Sequence, residues 1–398
     1  MSETLRPRIE QPHADIEHQS ARAPFDYLVT FPDRGLTPET GLIFVINGFG
    51  MTPEGAYNTI LRRYLASRYN CLAVEVFHFG LRLKASGYGE ILPAPGFFES
   101  LHAQFGVSIS APEGASPTLL VQRVCRALHE RGVTRVPESC LVLRRCGTEY
   151  ESFGLLPALD HLQVLGALLA RYPLDRRRLY ALGTSMGGYI ALFLAKLAPN
   201  SFRMVVDCSG FTQAPDLADP QARFSRGRIE GVVVRAMEPS PWEAEPGSSH
   251  GFHEHNRRIR DLTWVEHMVP TRTLRCLYHS VADDIVPLAD KERYAQAAAG
   301  FGPLALHRIG QEQLDGVMFK TLAHGMNASL RHLFDHAWSV LADRPEAGEG
   351  TDFCRESALE FPCGHRVYRL RFAAAGTVEL SLGSLRQGSK ARTAPVAR

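Results

Sequence analysis

No stretch of this 398-residue chain approaches the roughly 18 uninterrupted apolar residues that a membrane-spanning helix needs, so membrane insertion is not expected. The first 23 residues also lack the apolar core of a secretory leader. They are polar and carry mixed charges, which makes cytoplasmic residence the expectation. Charge of one sign is missing as well: 44 basic against 42 acidic residues leave a net +2, which gives no global pull towards nucleic acid or a membrane surface. Cysteine is scarce. Eight residues in a chain of this length do not make a disulfide framework. Cys71, Cys125, Cys208 and Cys276 sit in apolar runs and are expected to be buried small hydrophobes. Cys140 with Cys146, or Cys354 with Cys363, are close enough in sequence to pair, yet neither couple has zinc-site spacing and free thiols are expected. No internal repeat is present. What the chain does have is 45% hydrophobic and 22% charged residues, ordinary for a globular enzyme, and a length that suits two domains or one large α/β domain with insertions.

The apolar runs alternate between the two periods. Phe25–Phe31 alternates as a half-buried strand and ends at the turn Pro32-Asp33-Arg34-Gly35. Leu42–Ile46 is a continuous apolar strand running into Asn47-Gly48-Phe49-Gly50, and the helix after it is expected to place Tyr57, Ile60, Leu61, Tyr64 and Leu65 on one face. Cys71–Phe77 is the next strand, which makes strand–helix–strand, the unit of a parallel sheet. Residues 80–148 are irregular, with one amphipathic helix through Leu120, Val121, Val124 and Leu128 and a short strand at Leu141–Leu143. A leucine-rich helix from Leu155 to Leu169 precedes the strand Arg178–Leu182, and Met204–Val206 is the strand after the next helix. Residues 211–270 break the rhythm, and so long a polar stretch between core strands is expected to be an inserted cap. Leu274–Tyr278 and Leu304–Ile309 resume the sheet, and Leu330–Leu341 is a closing helix. A linker and a small hairpin-like appendage follow over 343–383, with strands at Val367–Phe372 and Thr377–Leu382. The basic end, 384–398, is expected to be disordered. The main domain thus runs over 24–342, after an N-terminal arm.

The chemistry centres on Leu182-Gly183-Thr184-Ser185-Met186-Gly187-Gly188, a G-x-S-x-G turn between a strand and an apolar helix. The turn presses backbone on backbone at Gly183 and Gly187, lifts the hydroxyl off the sheet and sets it at the positive end of the following helix. A serine hydroxyl at neutral pH still needs a base, a carboxylate to orient that base, and N–H donors for an oxyanion. An acid lies just past the strand Leu274–Tyr278, in His279-Ser280-Val281-Ala282-Asp283-Asp284. Asp283 is the first choice and Asp284 the alternative, with helix capping near Pro287 as the other use of either. After the final strand comes Leu322-Ala323-His324-Gly325, where His324 has small neighbours and follows Ser185 and the acid in chain order. His279 and His307, in or at strands, are expected to be structural. The oxyanion donors would be the N–H groups of Met186 and Phe49, with Gly48 and Gly50 allowing close backbone approach. His250, His253 and His255 form H-x-x-H-x-H without a firm fourth ligand, so no metal is expected. The tail cations Arg386, Lys390, Arg392 and Arg398 lack interleaved aromatics, so no nucleic-acid partner is expected.

With these residues in place the chain resembles the α/β-hydrolase superfamily over about residues 25–342. Asp175–Tyr189, which contains the serine turn, is similar to the prolyl-oligopeptidase and acyl-esterase branches. Asn47-Gly48-Phe49-Gly50 and Glu149-Tyr150-Glu151-Ser152-Phe153-Gly154 resemble an uncharacterised bacterial family, a domain of unknown function, some of whose members are associated with flagellin modification. One departure is Asn47, where many relatives carry His. The resemblance implies an α/β-hydrolase fold, a mostly parallel sheet with helices on both faces, and a Ser-Asp-His set. The expected reaction is hydrolysis of a carboxylic ester or other acyl group of a small molecule or modified sugar, without a cofactor. A peptidase or acyltransferase using the same residues, and a non-catalytic binding or accessory protein keeping the fold, stay open, as does a homo-oligomer.

Overall fold

The computed structural model describes residues 2–48, 51–81, 90–108, 114–136, 141–144, 149–217, 224–237, 240–243, 245, 247–342, 352–354, 356–373 and 377–385. In chain order the strands are β1 (Thr4–Leu5), β2 (Arg8–Ile9), β3 (Phe25–Thr30), β4 (Gly41–Ile46), β5 (Cys71–Val76), β6 (Glu90–Pro93), β7 (Leu141–Arg144), β8 (Leu179–Thr184), β9 (Met204–Cys208), β10 (Phe224–Ile229), β11 (Val232–Met237), β12 (Leu274–Ser280), β13 (Leu304–Ile309), β14 (Ser357–Cys363), β15 (Arg366–Phe372) and β16 (Val378–Ser384). The helices are α1 (Ala56–Tyr69), α2 (Phe97–Phe105), α3 (Pro117–Glu130), α4 (Leu155–Arg171), α5 (Met186–Leu197), α6 (Glu254–Arg260), α7 (Leu288–Ala298) and α8 (Leu330–Ala342). The chain divides into two compact units: Met1–Leu81 with Ser152–Ala214 and His253–Arg398, and Arg82–Glu151 with Pro215–Phe252.

The first unit is built on a sheet in the order β1-β3-β5-β4-β8-β9-β12-β13, with β2 paired to β3. From β5 to β13 every neighbouring pair is parallel, and β3 joins antiparallel at the β5 side. Every residue of β4, β5, β9 and β12 is buried, as parallel strands covered on both faces require. This is the α/β-hydrolase fold. The chain leaves β4 towards β5 on one side, while β8 lies on the other. The carboxyl ends of β4 and β8 therefore flank the point where the strand order reverses, and a crevice opens there in open α/β sheets. Two buried ion pairs tie the N-terminal arm down: Arg22 Nη2 to Asp160 at 2.7 Å and Arg260 Nη2 to Glu17 at 2.5 Å.

The structure departs from the sequence expectations in three places. Helix α1 buries only part of the expected face: Leu61 and Leu65 are buried and Tyr64 packs against the core, but Tyr57 and Ile60 are 47% and 68% exposed, while Asn58 and Arg62 are each 2% exposed. Polar partners beneath the helix decide that rotation, as the site shows. The stretch 211–270 is not one insertion, because 253–270 packs within the first unit and 82–151 joins 215–252 in the second. The second unit has its own sheet, β10-β11-β7-β6, and its own core, with Phe97, Leu101, Val121, Val124, Leu128, Val232 and Val234 buried. The appendage is a three-stranded antiparallel sheet, β14-β15-β16, where two strands were expected; β14 runs unbroken through Pro362, a residue type that argues against a strand. Cys71, Cys125, Cys208, Cys276 and Cys363 are buried free thiols. The couple Cys140 and Cys146, the side chain of Cys354, and the tail beyond 385 lie outside what is described.

Candidate active site

Three parallel strands deliver the candidate residues to one edge. Ser185 follows β8, Asp283 follows β12, and His324 lies in the loop after β13. Ser185 sits at φ 54, ψ −121, a left-handed backbone uncommon for a residue with a side chain. It is held there by its N–H donating to Cys208 O at 2.8 Å and its carbonyl accepting from Tyr189 N at 3.1 Å. Close approach explains the glycines. A Cβ on Gly187 would lie 2.0 Å from Ile46 O, one on Gly183 2.0 Å from Gly187 O, and one on Gly48 2.9 Å from Thr184 O and 3.1 Å from Ser185 Cβ. The end of β4 therefore presses directly on the serine turn. Gly48→Ala is expected to push that strand end away and to slow reaction at Ser185 by about 10²-fold, the scale of a one-ångström misplacement. The rate of labelling by an active-site-directed phosphonate, beside the unfolding midpoint, checks this.

The side chains make one hydrogen-bonded chain. Ser185 Oγ lies 2.8 Å from His324 Nε2, and His324 Nδ1 lies 2.9 and 3.0 Å from the two oxygens of Asp283. An ionised carboxylate can only accept, so Nδ1 carries the proton and Nε2 presents its lone pair to the hydroxyl. The Asp283 side chain is fully buried and that of His324 is 14% exposed. Asp283 Oδ1 also accepts from Ile285 N at 3.0 Å and Val286 N at 2.9 Å. Burial alone pushes this carboxyl up, but the bonds from His324, Val286 and Ile285 together outweigh it and hold Asp283 down at about 2, against an ordinary 3.8. Asp284 is brought close in a different way: its Oδ1 accepts the backbone N–H of His324 at 3.0 Å and so fixes the loop, not the ring.

The sign of the Asp283 shift sets a pH dependence. A folded-state value below the unfolded one means that the unfolded chain binds more protons. The contribution is therefore complete above about pH 4 and is lost as pH falls through about 2. It amounts to about 2 kcal/mol. Urea midpoints of wild type and Asp283→Asn, compared between pH 6 and pH 2, are expected to converge only below pH 4. A constant gap down to pH 2 would contradict the shift.

Met186 opens α5, so its N–H is one of four without an acceptor inside the helix. Phe49 and Gly50 lie outside the described residues. Phe211, after β9, sets its ring centroid 6.4 Å from that of His324. His279, expected to be structural, is fully buried and its Nε2–H donates to Val286 O at 2.8 Å, with the same nitrogen 3.7 Å from Asp283 Oδ2. Burial lowers its pKa. His307 is in β13, its ring stacked on Tyr278 at 4.7 Å. His253 and His255 stack at 5.6 Å on and before α6, and among the described residues no three His, Cys, Asp or Glu side chains are grouped as for a metal. Among the described residues no helix is long and apolar enough to cross a membrane.

Two buried polar groups under the site went unread in the sequence. Lys291 pairs with Asp207 at 2.5 Å with both side chains fully buried, and Asp207 Oδ1 accepts from Gly210 N at 2.8 Å. Asn47 Nδ2 donates to Glu75 Oε1 at 2.8 Å. The available signal was a charge inside an otherwise apolar strand: Asp207 in MVVDC and Glu75 in CLAVEV.

Over residues 25–382 the sequence matches the family described as "Protein of unknown function (DUF2920)". The chain belongs to that family. No curated protein matches this DUF2920 chain. Among solved structures, an acylaminoacyl peptidase of Pyrococcus horikoshii is 15% identical with a TM-score of 0.43, over 86% of this chain and 41% of that one. An S-formylglutathione hydrolase from Agrobacterium tumefaciens is 12% identical with a TM-score of 0.45, over 87% of this chain and 96% of that one. A puromycin-hydrolyzing peptidase of Mycobacterium tuberculosis is 18% identical with a TM-score of 0.44, over 86% and 38%. The DUF2920 chain thus spans about two-fifths of the length of the two peptidases.

Proposed function

We infer that this protein is a serine hydrolase that cleaves a carboxylic ester or other acyl group of a small molecule, with an acylated modified sugar as one such substrate. The 2.8 Å contact between Ser185 Oγ and His324 Nε2, with Asp283 behind Nδ1, carries the inference. Ser185 Oγ bonds to the acyl carbon while its proton passes to His324 Nε2. The carbonyl oxygen takes the negative charge, facing the N–H of Met186 and, from the sequence, that of Phe49. Collapse of the tetrahedral species expels the leaving group, which takes the proton from Nε2. Water, activated by the same nitrogen, then releases the acid and restores the serine. Asp283 keeps the ring in the tautomer that can accept, and stabilises the imidazolium once formed. The same residues serve amide cleavage and acyl transfer, which product analysis on ester, thioester, amide and acceptor panels separates. Covalent labelling by a fluorophosphonate tests the inference: one adduct at Ser185 in wild type, and none in Ser185→Ala or His324→Ala. A folded wild type that stays unlabelled would favour an accessory or binding protein instead.

A further inference from the structure

The turn that follows β4 is tied down at both ends by buried side chains. At its entry stands Asn47, 5% exposed, whose Nδ2 donates to Glu75 Oε1 at 2.8 Å and whose Oδ1 accepts from Asn58 Nδ2 at 2.7 Å. At its exit, Asn58 Nδ2 donates to Thr52 O at 2.8 Å, and Arg62 Nη1 donates to Pro53 O at 2.7 Å. Asn58 and Arg62 stand four residues apart on the buried face of α1, so one helix face grips both ends of the turn. Glu75, fully buried in β5, also pairs with the Arg62 guanidinium, and Arg62 Nε donates to Thr30 Oγ1 at 3.2 Å. Because a carboxylate offers only acceptors, Glu75 fixes which way the Asn47 amide faces. The groups form one connected network that holds the β4 end at the reversal point.

We propose that Glu75, Asn47, Asn58 and Arg62 form a positioning clamp that sets the β4 end, with Gly48, at contact distance from Ser185. This rests on Ser185 as the nucleophile. None of the four touches the reacting atoms; they act through the backbone of the turn. Two observations separate a clamp from mere core filling. The clamp's donors go to backbone carbonyls on the turn itself, Thr52 and Pro53, as well as to each other. The strand end it holds lies where a single added methyl on Gly48 would meet Thr184 O at 2.9 Å. A buried ionic group is seldom cheaper than an apolar one of the same size, so stability alone gives little reason for Glu75 in this strand.

The test uses the full-length protein with p-nitrophenyl acetate as substrate and a fluorophosphonate as label. Asn47→Ala cuts the entry contact. It is expected to lower kcat and the labelling rate by about 10- to 100-fold with KM within about threefold, the pattern of a misplaced reacting geometry. Glu75→Gln keeps an acceptor for Asn47 while removing the countercharge of Arg62, so it should lower the unfolding midpoint and slow labelling less than Asn47→Ala does. Should Asn47→Ala not fold, Asn58→Ala cuts the same contact from the helix side and carries the same expectation. Hydrogen exchange of the peptide spanning 45–55 supplies a readout independent of chemistry: Asn47→Ala should speed it by about tenfold or more while α4 and β8 keep their protection. Unchanged kcat and unchanged exchange in folded Asn47→Ala overturn the clamp. Faster exchange in a protein whose wild type takes no label at Ser185 supports the clamp and sinks only the hydrolase assignment.

Discussion

Ser185→Ala and His324→Ala are each expected to lower acyl turnover by about 10⁴- to 10⁶-fold, and combining them to cost little more than either alone. The reason lies in the geometry of the chain. His324 Nε2 has one function at 2.8 Å from Ser185 Oγ, so removing either atom leaves the other with nothing to do. Asp283→Asn is expected to cost about 10⁴-fold, because an amide at that place would turn an N–H towards Nδ1, or force the ring into the tautomer that cannot accept from Ser185. Asp284→Asn should cost about tenfold at most. Among the described residues its carboxylate takes only the backbone N–H of His324, and an amide oxygen can accept that bond equally well. Steady-state kinetics on an ester panel, with circular dichroism to show folded protein, ranks the four variants. If Asp284→Asn were the more damaging of the two acid variants, the assignment of the orienting carboxylate would be reversed. If Ser185→Ala kept its rate, the nucleophile would lie elsewhere.

What could be read without coordinates was whatever local patterning controls. The serine turn is written in consecutive residues, since strand, glycines and helix all lie within Leu179–Leu197. Asp283 and His324 were legible through chain order, because a parallel sheet returns each loop to the same edge. Apolar periodicity misled at α1. It placed Leu61, Tyr64 and Leu65 inwards as they are, but also Tyr57 and Ile60, which are exposed; Asn58 and Arg62 are buried instead because Asn47, Glu75 and Thr30 supply partners that only tertiary structure brings there. The second unit was missed for a similar reason. Its sheet pairs Leu141 with Ala236 in parallel, a contact between stretches far apart in sequence that no local signal announces.

The second large effect concerns stability. Lys291→Met is expected to lower stability by about 3–5 kcal/mol, since it strands the Asp207 carboxylate in a site with no exposure to water. Asp207→Asn should cost a similar amount by stranding the Lys291 ammonium, even though an amide oxygen still accepts from Gly210 N. The double variant removes both charges and keeps that acceptor, so it should regain most of the loss. The coupling between the two sites is then the difference between the double variant and the sum of the singles, and urea unfolding midpoints give it. The pair also bears on the site. Asp207 sits where a Cβ on Gly188 would meet its Oδ1 at 2.1 Å and one on Gly210 at 2.2 Å, so the carboxylate fills the space between the first turn of α5 and the end of β9. Cys208, the next residue, accepts the Ser185 N–H that holds the strained turn. Loss of the charge pair should therefore loosen the serine turn before the fold opens globally. That predicts a fall in labelling rate for Lys291→Met at temperatures well below its unfolding midpoint, and near wild-type labelling in the double variant. Single variants that cost under about 1 kcal/mol, or a double variant no better than either, would mean that the two charges are solvated and that Asp207 holds the turn through its hydrogen bonds alone.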